Sequence, residues 1–440
     1  MVSAQDIFTA CSLGDADALE QHIGFGAHEA VRGAHRCADG MKRTPLVVAS
    51  MRGHTDCVRM LLAAGAPIGE DASDGCAPLF VAAQEGHAPC VQLLLNGRAI
   101  ATQANHHGDF PLHIATNHGH LECVRMLIDA QAAIDQQMPA GDNALFAAAQ
   151  DGNVELVRLL LSAQASVDIA VDDGGTPLFV ACMLGHEQCV RLLLEGGANV
   201  EKPINNGCTS LHIAAQEGHC DCLQLLIQAN AAIGTVLFEA SQNGHAECVR
   251  MLLDAGAGAS VDRDGDGAGT TALFMASQGG FERCVELLLG ARASAALAGA
   301  DGSTPLHAAS EKGNLACVRL LLAARGNPCS QMVRKGETPL SFAAMKGHQQ
   351  CVAVLEASIR TATPNEMASS RTAGSLRCLF QSVRLVGLTS RPELNGRRGI
   401  AMGFSDDAER YSVRVDGMGE LRVRPANLEL WTTPEVTNIE

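Results

Sequence analysis

The chain has 440 residues, of which 47% are hydrophobic, 18% charged and 3% aromatic, and its formal net charge is -16. This length predicts more than one folding unit, and the hydrophobic content excludes a chain that is disordered throughout. The negative charge disfavours general binding to nucleic acid or to an anionic membrane, which requires a basic surface.

The N-terminal sequence, the apolar segments and the cysteines indicate the cellular compartment. The chain begins MVSAQDIFTACSLGD, which has neither a basic leader nor an apolar core, and no apolar run is long enough to span a membrane. The 17 cysteines therefore predict reduced thiols. We expect an intracellular protein, cytoplasmic or nuclear, that is neither secreted nor transmembrane.

An internal repeat organises residues 44–357. Four of the copies read TPLVVASMRGHTDCVRMLL, TPLFVACMLGHEQCVRLLL, TSLHIAAQEGHCDCLQLLI and TPLHAASEKGNLACVRLLL. Each repeat is named here by its first residue, which is place 1. The ten copies begin at Thr44, Ala77, Phe110, Asn143, Thr176, Thr209, Thr235, Thr271, Thr304 and Thr338, with spacings of 33 five times and then 26, 36, 33 and 34.

The pattern within one repeat predicts two short helices. Thr at place 1 is a good N-cap, and Pro at place 2 suits a first helical turn. Gly at place 10 of every repeat predicts a left-handed stop. Apolar residues at places 14, 15, 18 and 19 form the stripe of a second helix, which ends at Gly65, Gly197 and Gly256 in three repeats.

These TPLH-type starts and Gly-His turns resemble the ankyrin family. The resemblance covers residues 44–357, and residues 1–43 resemble a divergent N-terminal capping repeat with a turn at Gly14 and Asp15. It implies a mainly α solenoid of stacked helix pairs, with β-hairpin fingers and first helices lining a concave binding face. In such arrays each repeat contacts its neighbours, and polar terminal repeats keep the stack soluble.

His at place 11 and Cys at place 14 recur together, as in His54 and Cys57, and could supply metal ligands. Cys284 and Cys317 remain where Phe281 and Asn314 replace the histidine, although ligands of one metal would have to vary together. Zinc also needs four ligands at about 2.0–2.3 Å, whereas stacked helices lie about 8–10 Å apart. We expect no metal and no cofactor, with the cysteines packed as small hydrophobes and the histidines bonded to backbone in the turn.

Place 4 carries a second set of histidines, which resemble the structural histidine of the family: His113, His212 and His307. The segment DRDGDGAG at residues 262–269 resembles the start of an EF-hand, but its twelfth place is Leu273 where a calcium loop needs Glu. We interpret this segment as an enlarged finger.

The Thr209 repeat is seven residues short, and the missing residues belong to the finger. The helix patterns on both sides are intact, so we expect the stack to continue with a gap in its row of fingers. An error in the sequence would leave the same trace.

The repeat pattern ends near Ser358. Residues 358–379 are rich in Ser, Thr, Ala and Pro and predict a flexible linker, and residues 432–440 form a tail. Between them, SVRLVGL, RRGIAMGF, RYSVRVD and LRVRP alternate like strands, with turns at Asn395-Gly396, Asp406-Asp407 and Asp416-Gly417. Four or five strands in residues 380–431 predict a small all-β barrel that resembles SH3-like modules.

Eight arginines and seven acidic residues lie between residues 380 and 431. Arginines that alternate along strands are typical of a solvated face, but they could also contact nucleic acid, acidic peptides or the array. Tyr411 and Trp431 are the aromatic side chains there that could stack on a base or a proline.

No nucleophile, phosphate loop or paired zinc motif is visible, so we expect a non-catalytic, monomeric scaffold or adaptor that binds other proteins. Two alternatives stay open: a nucleic-acid-associated protein acting through the C-terminal module, and a substrate-recognition subunit of an enzyme complex. The resemblance implies that places 8 and 9, with the fingers, line the binding face. The candidate contact residues are Met51, Arg52, Gln84, Glu85, His106, His107, Asp109, Asn117, His118, Gln150, Asp151, Asp172, Asp173, Met183, Leu184, Gln216, Glu217, Gln242, Asn243, Glu311, Lys312, Arg334, Lys335, Met345 and Lys346.

Overall fold

A computed structural model describes residues 4–24, 31–36, 41–69, 73–265, 267–332, 337–361, 382–405, 410–415 and 419–430. Within these ranges no helix combines the length and the hydrophobicity needed to cross a bilayer. Most of the predicted linker (362–379), the tail and the predicted turns at 406–407 and 416–417 lie outside the described residues.

Helices come in pairs, and each pair fills one repeat. In the ten aligned repeats the first helix begins at place 2 and the second at place 12. The helices of the described residues are α1 (Ala4–Leu13), α2 (Ala16–Gly24), α3 (Pro45–Met51), α4 (Thr55–Ala63), α5 (Pro78–Gln84), α6 (Ala88–Asn96), α7 (Pro111–Asn117), α8 (Leu121–Asp129), α9 (Ala144–Gln150), α10 (Val154–Ser162), α11 (Pro177–Leu184), α12 (Glu187–Glu195), α13 (Ser210–Glu217), α14 (Cys220–Gln228), α15 (Val236–Gln242), α16 (Ala246–Asp254), α17 (Ala272–Gly279), α18 (Glu282–Gly290), α19 (Pro305–Lys312), α20 (Leu315–Ala323), α21 (Pro339–Met345) and α22 (Gln349–Thr361).

Place 1 and place 10 bound the first helix as predicted. The Thr176 hydroxyl accepts a hydrogen bond from the Phe179 amide at 3.1 Å, which satisfies one of the free donors of α11. The glycines at place 10 of the ten repeats have φ between 67° and 79°. The same turn occurs at Gly14, with φ of 76°, between α1 and α2 of the N-terminal segment.

Place 22, which follows the second helix, is left-handed in nine consecutive repeats. Glycine occupies it in three of them, at Gly65, Gly197 and Gly256. Arg, Gln or Asn adopts the same positive φ, between 59° and 69°, in the other six, at Arg98, Gln131, Gln164, Asn230, Arg292 and Arg325. A side chain is disfavoured in this conformation, so the stop comes from the packing of the helices and not from the residue type.

Each repeat contributes a small set of buried side chains to the core. Places 14, 15 and 18 are buried in all ten repeats, as in Cys57, Val58 and Leu61, which expose 1%, 0% and 0% of their surfaces. Place 19 is half-buried in the first nine repeats, as in Leu62. The predicted stripe is therefore confirmed, with its centre at places 14, 15 and 18.

Two compact units divide the chain. The first contains Met1–Ala214 together with Asp221–Ala232, and the second contains Ala215–Cys220 together with Ile233–Glu440. The last helix of the array, α22, runs to Thr361, which is four residues beyond the predicted end of the array at residue 357. The residues that follow Leu355 stay helical because Ile359 packs into the core with 4% exposure.

Within the described residues, the first finger contains strands and the others do not. Strand β1 (His35–Arg36) pairs antiparallel with β2 (Lys42–Arg43). Later fingers contain tight turns such as residues 171–175, where Val171 N donates to Gly175 O at 2.9 Å and Gly174 N donates to Val171 O at 2.8 Å. The expected β-hairpin is therefore found in the first finger, and the described residues of the later fingers form turns without strands.

The shortened Thr209 repeat keeps its helices. Both α13 and α14 have the ordinary starting places, and α15 begins directly after Thr235. Thr235 has φ of -99° and ψ of 6° and makes no side-chain capping bond, unlike the extended Thr176. The deletion therefore changes how the next helix begins and leaves the helix pattern unchanged.

A five-stranded antiparallel sheet follows in the C-terminal region. Its strands are β3 (Ser382–Leu385), β4 (Arg398–Ser405), β5 (Arg410–Val415), β6 (Gly419–Val423) and β7 (Leu428–Leu430), in the order β6-β5-β4-β3-β7. A register shift between Ala401 and Gly403 interrupts the pairing of β4 with β5. One buried cluster in this region combines Leu385, Val413, Val415, Val423 and Leu428 of the strands with Leu394, which lies between β3 and β4.

Candidate protein-binding surface

The ends of the first helices are held by the next repeat. At five junctions of the described residues, the carbonyl oxygen of place 8 accepts a hydrogen bond from the place-11 histidine of the following repeat, and Nε2 is the donor because a carbonyl oxygen only accepts. The bonds are His87 to Met51 at 3.2 Å, His120 to Gln84 at 2.9 Å, His186 to Gln150 at 3.0 Å, His245 to Gln216 at 2.8 Å and His348 to Glu311 at 2.9 Å.

This geometry corrects one expectation about the place-11 histidines. They do bond to backbone, but the carbonyl belongs to the preceding repeat and not to their own turn. Asn314 can replace histidine because its Nδ2 donates to Gln278 O at 2.9 Å. Phe281 has no donor, although its ring takes the same position against Gly244.

The place-10 glycines have a second reason to be glycine. A Cβ at Gly53 would lie 2.6 Å from Nδ1 of His87, and one at Gly152 would lie 2.6 Å from Nδ1 of His186. Such contacts are shorter than packing allows, so a side chain would displace the ring. The glycine, the ring and the place-8 carbonyl therefore fix where the side chains of places 8 and 9 project.

We call the side chains at places 8 and 9 the helix-end row. The exposed members of the predicted set, from this row and from the fingers, are Arg52, Glu85, His106, His107, Asn117, His118, Gln150, Asp151, Asp172, Asp173, Leu184, Gln216, Glu217, Gln242, Asn243, Lys312, Met345 and Lys346. The half-buried members are Met51, Gln84, Asp109, Met183 and Glu311. Arg334 and Lys335 lie outside the described residues.

Apolar side chains interrupt the polar row. Leu184 exposes 43% of its surface in the first unit, and Met345 exposes 53% in the second. Sequence reasoning missed Leu13, which exposes 73% and holds place 9 of the N-terminal segment if Gly14 is taken as place 10. It also omitted Gln278, at place 8 of the Thr271 repeat. Extending the register from the glycines would have found both residues.

Several finger residues stabilise the fingers themselves. The Asp173 carboxylate accepts a bond from the Gly175 amide at 2.8 Å, and Asp109 accepts one from Asn105 Nδ2 at 2.9 Å. Asn205 Nδ2 donates to the Asp172 carbonyl at 3.0 Å, which links consecutive fingers. Asp109, Asp172 and Asp173, which are predicted contact residues, therefore stabilise the fingers of the free protein.

The cysteines at place 14 are buried in the core, whereas the place-11 histidines bond to carbonyl oxygens, as His87 does to Met51. Burial raises the pKa of the Cys123, Cys189 and Cys284 thiols to about 11, so these groups stay protonated near neutral pH. Over the described residues no cluster of three His, Cys, Asp or Glu side chains could hold a metal ion.

The place-4 histidines are structural, as predicted. His307 is buried, its Nδ1 accepts from the Thr304 amide at 3.1 Å, and its Nε2 lies 3.3 Å from the Glu337 carbonyl. Burial lowers the pKa of His307 to about 4, so the ring is neutral in the folded protein. His113 Nε2 lies 2.7 Å from the Asp142 carboxylate.

In the acidic finger at residues 262–269, the carboxylates of Asp262 and Asp264 accept hydrogen bonds from backbone amides. Asp262 accepts from the Ser294 amide at 2.8 Å, and Asp264 accepts from the Gly267 amide at 2.9 Å. Asp266 lies outside the described residues.

Comparison with known proteins identifies the family. The family model described as ankyrin repeats (3 copies) matches residues 7–105, 96–173, 165–236, 229–296 and 283–365. The chain therefore belongs to the ankyrin-repeat family, whose members are typically protein-binding scaffolds.

Comparison with individual proteins adds less. No curated protein matches the chain. Among solved structures, the chain is similar to the human ASB11 ankyrin repeat domain, with 27% identity and a TM-score of 0.45 over 49% of this chain and 98% of that one.

Proposed function

We propose that this chain is a non-catalytic scaffold or adaptor that binds protein partners along its helix-end row. The observation that carries the proposal is the exposed apolar side chain of Leu184, the last residue of α11. The residues of α11 from Pro177 to Cys182 are buried. Leu184 and the half-buried Met183 next to it form an apolar step in a mostly polar row, and a partner with an apolar side chain could pack on this step.

The surroundings of Leu184 indicate the chemistry of the partner. The exposed finger carboxylates Asp172 and Asp173 belong to the same repeat junction, and Asp151 holds place 9 of the preceding repeat. An apolar anchor flanked by acidic groups favours a helix or peptide that carries an apolar residue with basic neighbours. The anchor would supply affinity, and the charges would set orientation.

The row is also suited to binding because it is positioned before a partner arrives. Gln150, at place 8 of the preceding repeat, has its carbonyl bonded to His186, and Gly185 ends α11 with φ of 76°. A surface whose backbone is already fixed loses less conformational entropy on binding than a mobile loop does.

The test replaces Met183 and Leu184 with alanine in the full chain. We expect captured partners to bind more weakly by about 1–3 kcal/mol, the range of a few central anchors. Because Leu184 is exposed and Met183 only half-buried, the double variant should lose less stability than Leu193→Ala, which removes a fully buried side chain. Replacing Gln188 and Glu195, which are exposed on α12 of the same repeat, is the matched control and should leave binding unchanged.

Two results would contradict this assignment. If the double variant unfolds as readily as Leu193→Ala, these side chains are part of the core. If it is stable and retains every partner, the contact surface lies elsewhere on the chain.

We also propose that residues 380–431 contain a small SH3-like module. Five antiparallel strands around one buried cluster support this proposal, and Arg410, Arg422 and Arg424 are exposed on it. These arginines favour an acidic partner, either nucleic acid or an acidic peptide. Loss of captured partners after nuclease treatment would favour nucleic acid, and retention would favour protein.

A further inference from the structure

Two cysteines of consecutive repeats lie in direct contact. The Sγ atoms of Cys220, the first residue of α14, and Cys248, in α16, are 3.0 Å apart. Both residues belong to the second compact unit. Cys220 is half-buried, whereas Cys248 exposes 0% of its surface. Cys220 is therefore partly open to solvent, and Cys248 is fully buried.

The contact follows from the repeat geometry, because place 12 of one repeat meets place 14 of the next. The same pair of places brings Thr55 Oγ1 to 3.7 Å from Cys90 Sγ in the first unit. The two pairs are separated by 35 and 28 residues in sequence, and this difference of seven equals the shortening of the Thr209 repeat. At both junctions, the place-12 side chain therefore contacts the place-14 cysteine of the next repeat.

Cys220 is the one cysteine at place 12 among the ten repeats. Every repeat after the first except the Asn143 repeat carries a place-14 cysteine, so the pairing depends on what place 12 offers. The other place-12 residues are Thr55, Ala88, Leu121, Val154, Glu187, Ala246, Glu282, Leu315 and Gln349.

We propose that Cys220 and Cys248 form a reversible disulfide when the protein meets a low-molecular-weight disulfide such as oxidised glutathione. This site is independent of the helix-end row and of its partners. A protein disulfide has an S–S bond of about 2.05 Å, so closure requires the sulfurs to approach by about 1 Å. That shift is available to side-chain rotation at the first residue of a helix.

The chemistry is thiol–disulfide exchange in two steps. The Cys220 thiol loses its proton, and the thiolate attacks one sulfur of the oxidant, forming a mixed disulfide and releasing one glutathione thiolate. Cys248 then loses its proton and displaces the second glutathione thiolate, which leaves the Cys220–Cys248 bond. The two protons and two electrons removed from the cysteines appear on two molecules of reduced glutathione.

The surroundings assign the order of attack. Burial and the neighbouring Cys220 and Glu247 raise the pKa of the Cys248 thiol. Cys220 is the more accessible sulfur, so it is the attacking group and Cys248 the resolving one.

The test treats the folded full-length chain with oxidised glutathione and maps disulfides by mass spectrometry without reduction. We expect the loss of two hydrogen atoms, one Cys220–Cys248 cross-linked peptide, and a higher midpoint of chemical denaturation that returns to its starting value on reduction. In Cys220→Thr, which places the residue found at Thr55, the cross-link and the shift should both disappear.

Two further variants keep the proposal open to contradiction. Cys248→Ala should retain a stable glutathione adduct on Cys220, because the resolving thiol is gone. Thr55→Cys should form a second disulfide, to Cys90. The proposal is wrong if the unmodified chain keeps a glutathione adduct without cross-linking, if the cross-link maps to another pair, or if the new thiol at position 55 fails to react with Cys90.

Discussion

Two junctions between repeats have fingers of different length but share one hydrogen bond. The first joins the Asn143 and Thr176 repeats, and the second joins the Thr209 and Thr235 repeats. In both, a place-11 histidine bonds to the place-8 carbonyl before it: His186 to Gln150 at 3.0 Å, and His245 to Gln216 at 2.8 Å. The second junction achieves this with seven fewer residues.

The difference between the junctions lies at the start of the following helix. Thr176 is extended and caps α11 with its hydroxyl, whereas Thr235 is not extended and makes no such bond. The hydrogen bond between repeats and the capping of the following helix are therefore separable in this chain. The bond between repeats uses places 8 and 11, whereas the shortened finger changes the backbone at place 1.

The largest expected effect tests whether the cores of the two junctions are equivalent. Leu193 and Leu252 hold place 18 on either side of the deletion, and both are fully buried. We expect Leu193→Ala and Leu252→Ala each to lower the free energy of unfolding by about 2–5 kcal/mol through the cavity that is left. Chemical denaturation measures both values. A cost at Leu252 far below that at Leu193 would show that the shortened junction is loosely packed.

The second prediction uses the difference in capping. Thr176→Ala removes the bond to the Phe179 amide and should destabilise the protein by about 1 kcal/mol. Thr235→Ala removes no capping bond and should change stability by less than about 0.5 kcal/mol. Equal costs in thermal unfolding would mean that Thr235 caps its helix after all.

A third prediction concerns Glu239, at place 5 of the repeat that follows the deletion. Its Oε2 is buried without a hydrogen-bond partner, and burial raises the pKa of this carboxyl above its ordinary value of 4.5. The folded state therefore holds the proton more tightly, and the destabilising charge develops as pH rises through the folded-state pKa.

Replacing this carboxyl should stabilise the protein in a pH-dependent way. Glu239→Gln should raise the midpoint of denaturation near neutral pH, and the gain should vanish below the ordinary carboxyl pKa. Glu217→Gln, an exposed change of the same charge, is the control and should have little effect. A gain that is independent of pH would exclude the charge as its cause.

The smallest expected effect is at place 22. Gln131 and Asn230 are both left-handed, with φ of 59° and 63°. Glycine removes the strain but adds freedom to the unfolded chain, so Gln131→Gly should gain only about a few tenths of a kcal/mol. Asn230→Gly should gain less, because asparagine tolerates this region better than glutamine. A loss of stability at Gln131 would show that its side chain makes a contact of greater value.

Sequence anticipates the features that one repeat carries within itself. The place-10 glycines, the place-1 caps and the buried stripe of Cys57, Val58 and Leu61 all follow from local spacing. It does not anticipate the left-handed backbone at Arg98 or Gln131, since those residue types give no sign of it. That conformation is imposed by packing.

Contacts between repeats are the other part that sequence leaves out. The bond from His87 to the Met51 carbonyl joins residues 36 apart, and the contact between Cys220 and Cys248 joins residues 28 apart. The sequence shows that His recurs at place 11 and Cys at place 14. It does not show which atom of the neighbouring repeat each side chain contacts, because that depends on how far one repeat is displaced from the next. Leu13 was missed because the N-terminal segment lacks the TPLH-type start that marks the register.

The most direct test of the binding proposal is site-specific photocrosslinking in the full chain. A benzophenone side chain would be placed at Leu184, in the helix-end row, and in a second protein at Glu195, which is exposed on α12 of the same repeat. We predict discrete cross-linked proteins from position 184 and none of the same species from position 195. The same species from both positions, or from position 195 alone, would contradict binding along the helix-end row.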